Sequence, residues 1–215
     1  MTVLGVLMLD TKFPRIRGDV GHPESFNVSV RYAVVRGASP QRVVREGDPA
    51  LLQPFIDAAV ALVAQGATAI TTSCGFLVLF QRELQAAVPV PVWTSSLLKL
   101  RELQRPGVVT VDASALGAEH LRSAGASAST PVEGLAPGCP LQRTLLEDLP
   151  TLDEVAAEAE VVAAARRLVA RVPAIDSLVL ECTNMPPYAA AVAHATGRPV
   201  HHLLTLVQER LKDIA

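Results

Sequence analysis

The sequence predicts an α/β fold of two similar Rossmann-like lobes, each with a parallel sheet, related by a pseudo-twofold axis. Three observations support it: short apolar runs alternate with helical patterns along the 215 residues, half of the residues are hydrophobic, and the second half repeats the first. Such a composition excludes a disordered chain. The formal net charge of −2 offers no basic surface for a phosphate backbone, so nucleic acid is not an expected partner.

The elements of the first half follow from apolar runs and the residues that interrupt them. Residues 4–9 are uninterrupted apolar and end at Asp10, as in a buried parallel strand. Asp48 and Pro49 are an N-cap and a first-turn proline, and Gly66 is a helix stop. The other elements predicted here are a strand or hairpin arm at 28–35, a strand at 67–72, a helix to about 87, a strand at 90–94 and a helix at 96–103.

The same alternation restarts after Pro106. Thr151 and Glu154 have capping-box spacing and predict the start of a helix that reaches Arg171. The other elements predicted here are a strand at 107–111, a helix at 114–124, a loop at 127–140, a strand at 177–180, a helix, a short strand at 200 and a final amphipathic helix.

An internal duplication is the most informative feature of the sequence. Three matches occur in the same order: Gly5–Asp10 with Gly107–Asp112 at an offset of 102, then Cys74 with Cys182 and Pro91 with Pro199 at an offset of 108. We therefore expect two lobes, 1–103 and 104–215, each with one of the matched cysteines. The C-terminal helix is a candidate to pack back on the first lobe.

Cys74 and Cys182 each lie just after a predicted strand and just before a predicted helix. Ligands of parallel sheets bind at that edge, and helix N-termini favour anions and lower the pKa of a thiol. We therefore expect both thiols to face one inter-lobe cleft that binds a small carboxylate. One thiolate would take a proton from the carbon next to the carboxylate, and the opposite thiol would return one to the other face.

Cofactor signals are absent from the sequence. Neither G-x-G-x-x-G nor a P-loop occurs, and the three cysteines are spaced too widely for a zinc site. We therefore expect neither a metal nor an organic cofactor.

The cysteine segments resemble those of the aspartate/glutamate racemase superfamily, which includes glutamate, aspartate and hydantoin racemases, maleate isomerase and arylmalonate decarboxylase. The segment at 182–186 is similar to the Cys-Thr-x-x-Pro of glutamate racemases, 72–75 lies where the family has its first cysteine, and 10–11 lies where an Asp-Ser pair contacts substrate. Three departures make glutamate itself a less expected substrate: Gly75 and Phe76 replace Asn-Thr, Asn184 replaces a histidine, and 12–18 replaces a glycine-rich run.

The resemblance implies a cofactor-independent racemase or epimerase of an amino acid or related acid, with Cys74 and Cys182 as the two bases. The candidate substrate-binding residues are Asp10, Thr11, Thr72, Ser73, Gly75, Thr183 and Asn184. Three alternatives stay open: a decarboxylase of the same fold, a maleate-type cis–trans isomerase, and a two-lobed binding protein without catalysis. A homodimer is expected from the resemblance and from the frequency of twofold dimers.

The remaining features favour less specific interpretations. Cys139 lies in a predicted loop, and we expect no role for its thiol in the site. The arginines Arg15, Arg17 and Arg31 are either solvated charges or part of a loop that closes over an anionic substrate. The first residues lack a basic leader, and the odd number of cysteines argues against a disulfide framework, so a reduced cytoplasmic protein is expected. The charge-free stretch 58–81 contains polar residues, and no membrane span is expected there.

Overall fold

A computed structural model describes residues 2–214, which form two four-stranded parallel sheets flanked by helices. Met1 and Ala215, the outer ends of the two predicted lobes, lie outside the described residues. The first sheet contains β1 (Val3–Leu9), β2 (Ser29–Val35), β3 (Ala69–Thr72) and β4 (Val92–Trp93). The second contains β5 (Pro106–Thr110), β6 (Val132–Gly134), β7 (Ser177–Leu180) and β8 (Val200–His201).

Helices connect the strands, as parallel pairing requires. The α-helices are α1 (Leu52–Ala64), α2 (Gln81–Ala87), α3 (Ala118–Ser123), α4 (Pro140–Leu146), α5 (Glu154–Arg171), α6 (Ala189–Thr196) and α7 (Leu203–Lys212). Short 3₁₀ helices cover Pro23–Ser25, Pro49–Leu51, Gly75–Phe80, Ser96–Glu102 and Pro186–Tyr188, and a π-helix covers Gln41–Arg45.

The strand order and register repeat between the two sheets. The orders are β2-β1-β3-β4 and β6-β5-β7-β8. Gly5 pairs with Ile70 in the first sheet and Gly107 with Leu178 in the second, so the offsets of 102 and 108 seen in the sequence recur in the pairing. The prediction of two parallel-sheet lobes is thereby confirmed.

The two matched glycines bring a helix and its sheet into close contact in each lobe. A Cβ atom on Gly5 would lie 2.6 Å from the Cδ1 atom of Ile70 and 3.1 Å from that of Leu62 in α1. A Cβ atom on Gly107 would lie 2.6 Å from Ile175 and 2.9 Å from Leu168 in α5. The first strand of each lobe therefore has no room for a side chain at this position.

Two helix-end predictions agree with the structure. The Asp48 carboxylate accepts a hydrogen bond from the backbone N–H of Ala50 at 2.9 Å, as an N-cap does. Gly66 has a φ of +94° just after the end of α1, a conformation that favours glycine.

Several element predictions were wrong in detail. The segment 28–35 is not a hairpin arm, because β2 pairs parallel with β1. The predicted loop 127–140 contains β6, a short strand with little apolar signal. Thr151 does not cap α5; the Asp153 carboxylate does, by accepting from the N–H of Ala156 at 3.0 Å. The segments after Cys74 and after Ser95 start as 3₁₀ rather than α-helices.

The C-terminal helix contacts the first-lobe segment Ser96–Glu102. The Lys99 ammonium lies 2.6 Å from the Glu209 carboxylate, and Arg210 pairs with Glu102. The lobe boundary itself, the homodimer and the cytoplasmic location stay predictions. Within residues 2–214, none of the helices has the length and apolar character needed to cross a bilayer.

The glycine packing predicts a position-specific loss of stability. We expect Gly5→Val to lower the free energy of unfolding by about 1–3 kcal/mol, because the added methyl groups overpack the contact with Ile70 and Leu62. Gly117→Ala is the control, since the described chain has no atom within 4 Å of a Cβ placed there. Urea denaturation measures both; equal midpoints for the two variants would contradict the packing assignment.

Candidate active site

The two matched cysteines line one cavity at the carboxyl ends of both sheets. The cavity has a volume of about 30 Å³, room for roughly two water molecules. Its apolar wall includes Leu9, Phe13, Val44, Phe76, Val111 and Leu145. Its polar lining includes six of the residues predicted for the site, namely Ser73, Cys74, Gly75, Cys182, Thr183 and Asn184.

The thiols are more basic than the sequence predicts. Burial raises the pKa of Cys74 to about 12 and, helped by Glu181, raises the pKa of Cys182 well above its usual range. The expected backbone donors are present. Hydrogen bonds from the N–H of Phe76 to Cys74 and from the N–H of Asn184 to Cys182 lower the pKa of each thiol. Desolvation outweighs them, so the prediction of lowered thiol pKa values was wrong.

A buried carboxyl group lies beside the thiols. Glu181 has 0% of its surface exposed and precedes Cys182 at the end of β7. Its Oε2 atom accepts a hydrogen bond from the Thr110 hydroxyl at 2.7 Å. Its Oε1 atom has no hydrogen-bond partner in the part of the chain that the structure describes. Burial raises the pKa of Glu181 to about 7, against the opposing effect of the Thr110 hydrogen bond.

Hydrogen bonds join the two cysteine turns across the lobes. The Thr183 hydroxyl donates to the carbonyl of Ser73 at 2.6 Å, and the Ser73 hydroxyl accepts from the N–H of Leu9 at 2.9 Å. The Ser96 hydroxyl donates to the carbonyl of Leu180 at 2.7 Å. These polar side chains satisfy backbone groups at the junction and hold the turns in register.

The loop between β1 and β2, residues 10–28, contributes Phe13 to the cavity wall and is called the first loop below. Its backbone N–H groups at Lys12 and Phe13 donate to the Asp148 carboxylate at 2.6 and 3.3 Å. Its Val20 N–H donates to the carbonyl of Thr183 at 3.3 Å. Asp148 has a φ of +55°, a costly conformation for this residue, so the contact is made from a strained position.

Asp19 fastens the first loop to the second cysteine turn. Its carboxylate is 1% exposed, pairs with Arg15 at 3.1 Å and accepts a hydrogen bond from the Asn184 amide. Burial raises the pKa of Asp19, although Arg15 acts in the opposite direction. The Arg15 guanidinium also stacks 4.4 Å from the centre of the Phe13 ring.

Three of the residues predicted to bind substrate lie outside the cavity lining. The Asp10 carboxylate is exposed and accepts from the N–H of Gly37 at 3.1 Å. The Thr11 hydroxyl accepts from Arg15 at 3.0 Å. The Thr72 hydroxyl is buried and donates to the carbonyl of Thr94 at 2.7 Å. Substrate roles for all three stay predictions.

The other residues named in the sequence analysis, Cys139, Arg31 and Arg17, lie outside the cavity lining. Cys139 caps α4 outside the cavity lining, and Arg31 is exposed. Arg17 lies 3.7 Å from Glu24 on the surface. Within residues 2–214, no group of three His, Cys, Asp or Glu side chains is arranged to hold a metal ion.

Sequence reasoning missed Glu181 and Asp19. A signal for Glu181 exists, because a glutamate that follows three apolar strand residues and precedes a cysteine is an unusual place for a charge. Asp19 has no such signal, since it is one polar residue in a polar loop and only the folded chain brings it to Asn184.

Comparisons with known proteins relate the chain to two groups. It is 30% identical to a dimethylsulfoniopropionate lyase of Durusdinium sp. clade D, with 92% of this chain and 70% of the relative covered. It is 32% identical to dimethylsulfoniopropionate lyase 7 of Emiliania huxleyi (strain CCMP1516), with 94% of this chain and 64% of the relative covered. No protein-family model matches the chain.

Solved structures share the fold. Unliganded arylmalonate decarboxylase is similar with a TM-score of 0.61 at 19% identity, over 93% of this chain and 86% of that one. A glutamate racemase from Bacillus anthracis is similar with a TM-score of 0.55 at 18% identity, over 100% of this chain and 83% of that one.

The Asp148 contact predicts how firmly the first loop is held. We expect Asp148→Gly, which keeps the backbone conformation and removes the acceptor, to speed hydrogen exchange at the amides of Lys12 and Phe13 about fivefold, the equivalent of about 1 kcal/mol. Asp148→Asn keeps an acceptor oxygen and is the control. Hydrogen exchange with mass spectrometry measures the segment; unchanged exchange in the glycine variant would show that the contact does not hold the loop.

Proposed function

Because the chain belongs to the family of the dimethylsulfoniopropionate lyases and has the fold of arylmalonate decarboxylase and glutamate racemase, we propose that it is a cofactor-independent lyase. Its substrate would be a small carboxylate with a sulfonium group on the β-carbon. The observation that carries the proposal is that Cys74 and Cys182, from equivalent turns of two lobes, line one cavity with apolar walls. The family relationship supports a sulfonium leaving group, and the two thiols support removal of the proton by a cysteine.

The proposed reaction is a β-elimination. A thiolate removes a proton from the carbon next to the carboxylate, and the electron pair of that C–H bond forms the carbon–carbon double bond. The bond from the β-carbon to sulfur breaks, and its electron pair stays on sulfur. With dimethylsulfoniopropionate, neutral dimethyl sulfide and acrylate are the products. The removed proton is then on the thiol and passes to solvent before the next turnover.

The surroundings of the two thiols support different roles for them. Burial raises the pKa of both, but at Cys74 the N–H of Phe76 and the Arg15 guanidinium act in the opposite direction. The Cys182 thiol donates to Asn184 Oδ1 at 3.5 Å, a contact that requires the protonated form. We therefore assign Cys74 as the base. Cys182 keeps its proton and is available to donate to negative charge that develops on the substrate.

A racemase or epimerase of an amino acid or related acid is the second candidate. Inversion needs a base on one face of the carbon and an acid on the other, and the matched positions of Cys74 and Cys182 favour that arrangement. Both candidates begin with the same proton removal and differ in whether a leaving group departs.

The base assignment predicts the effect of removing each thiol. We expect Cys74→Ser to lower kcat for sulfide release from dimethylsulfoniopropionate by about 10²–10⁴-fold, because an alcohol is a far weaker acid than a thiol. Cys182→Ser should lower kcat less, since a hydroxyl can still donate. Cys139→Ser is the control and should match the unaltered enzyme. Gas chromatography of the released sulfide gives kcat, and full activity of Cys74→Ser would remove the proposed mechanism.

Heavy water separates the two candidate reactions. For a lyase, we expect sulfide release with no loss of optical activity from L-glutamate or L-aspartate added in separate reactions. For a racemase, the amino acid would lose optical rotation and take up deuterium at its α-carbon. Polarimetry and proton NMR measure both, and racemisation without any sulfide release would replace the lyase by the second candidate.

A further inference from the structure

Glu181 is a fully buried carboxyl group with half of its hydrogen-bonding capacity unused. Oε2 accepts from the Thr110 hydroxyl, whereas Oε1 is without a partner among residues 2–214. Leaving a polar atom buried and unpaired costs free energy, so a partner that arrives with a ligand would relieve the cost. Glu181 lines the same cavity as Cys74 and Cys182, which is where such a ligand would bind.

We propose that Glu181 is a substrate-binding residue that acts as a neutral carboxylic acid, with its Oε1–H group donating a hydrogen bond to a carboxylate oxygen of the bound acid. The inference rests on the proposed function only in taking a small carboxylate as the ligand. A protonated carboxyl in an apolar site is an established way to donate to an anion at neutral pH.

The hydrogen-bond pattern indicates where the proton lies. If the Thr110 hydroxyl donates to Oε2, that atom is the acceptor of the carboxyl group, and the proton of a neutral Glu181 is on Oε1. Burial, which raises the pKa of Glu181 to about 7, favours the neutral form in the lower part of the physiological range. An ionised Glu181 would instead repel the carboxylate of the ligand.

The backbone of the first cysteine turn leaves space for this carboxyl group. A Cβ atom on Gly75 would lie 2.2 Å from Glu181 Oε1 and 2.5 Å from the carbonyl oxygen of Glu181. Only glycine fits opposite Glu181, because every other residue would displace backbone as well as side chain. Gly75 therefore contributes to the site by admitting the acid, as a residue from one lobe that accommodates a residue from the other.

The duplication shows that the carboxyl group is not needed for the turn itself. The N–H of Ser73 donates to the carbonyl of Leu7, and the N–H of Glu181 donates to the carbonyl of Val109, so Ser73 and Glu181 are equivalent positions. In the first lobe a serine hydroxyl serves there by accepting from the N–H of Leu9. The larger acid of the second lobe goes beyond what the backbone requires.

Four other titratable or charged groups lie around the cavity. Burial raises the pKa of the Cys74 thiol to about 12 and raises that of the Cys182 thiol well above its usual range. Arg15 and Asp19 reach the site from the first loop and pair with each other. Asp19 is therefore the group whose ionisation must be distinguished from that of Glu181.

Propionate binding tests the proposal, because this carboxylate has no leaving group and stays ionised above pH 6. Calorimetry with the full chain gives the Kd from pH 6 to pH 9. We expect the Kd to be constant below about pH 7 and to rise about tenfold per pH unit above it, as loss of the Glu181 proton requires. Failure to bind at pH 6, or a Kd that does not change with pH, would overturn the proposal.

Substitutions at Glu181 identify the responsible group. Glu181→Gln keeps an acceptor for Thr110 and an N–H donor, so it should bind propionate at pH 6 within about threefold of the unaltered chain and lose the pH dependence. Glu181→Met lacks the donor and should bind at least tenfold more weakly at every pH. A purely structural Glu181 would leave the pH dependence in place in the glutamine variant, which would overturn the proposal.

Two further variants cover the remaining outcomes. Thr110→Val removes the hydrogen bond that lowers the pKa of Glu181, so the break in the Kd profile should move to higher pH. If the Kd of Thr110→Val began to rise at the same pH as that of the unaltered chain, the ionising group would not be Glu181. This variant provides the test if the Glu181 variants do not fold. Asp19→Asn should keep the pH dependence of the Kd. If the Kd of this variant no longer changed with pH, the ionising group would be Asp19 instead of Glu181.

The binding test and the activity test fail separately. Absence of sulfide release together with the expected propionate profile would refute the lyase and leave the role of Glu181 standing. Sulfide release together with pH-independent propionate binding would support the lyase and refute the role of Glu181.

Discussion

Removal of water from three ionisable groups in one small cavity is the constraint on which the chemistry of this protein depends. Desolvation raises the pKa values of Cys74, Cys182 and Glu181 together, and it outweighs the backbone N–H groups that act on the thiols. When all three groups are protonated, they add no charge to the cavity. A small anion can then enter a site that would repel it if the same groups were ionised.

Closure of the site follows from contacts between the first loop and the second lobe. Asp148 holds the backbone at Lys12 and Phe13, and Asp19 holds the amide of Asn184. These contacts hold Phe13 in the wall of the cavity, which has a volume of about 30 Å³. A first loop held in this position limits the water that would otherwise stabilise the charged thiolate and weaken hydrogen bonds to the ligand.

The repeat supplies a symmetric backbone, and the side chains on it differ between the lobes. Serine occupies one position where the second lobe has Glu181, and Gly75 corresponds to Thr183. A turn that only had to place a thiol would have no use for this difference. The small residues of the first lobe make room for the larger polar residues of the second, so the two halves together form one site with distinct sides.

The sequence by itself determined the two lobes with parallel sheets and the position of both cysteines at strand ends, because buried parallel strands and an internal repeat leave regular apolar patterns; the strand order came from the structure. It also identified six of the residues that line the cavity. These are the two cysteines and the four residues that adjoin them along the chain, Ser73, Gly75, Thr183 and Asn184. Tertiary structure alone decided the thiol pKa values and the roles open to Glu181 and Asp19. These depend on burial and on contacts between residues more than 60 positions apart, which local patterns do not record.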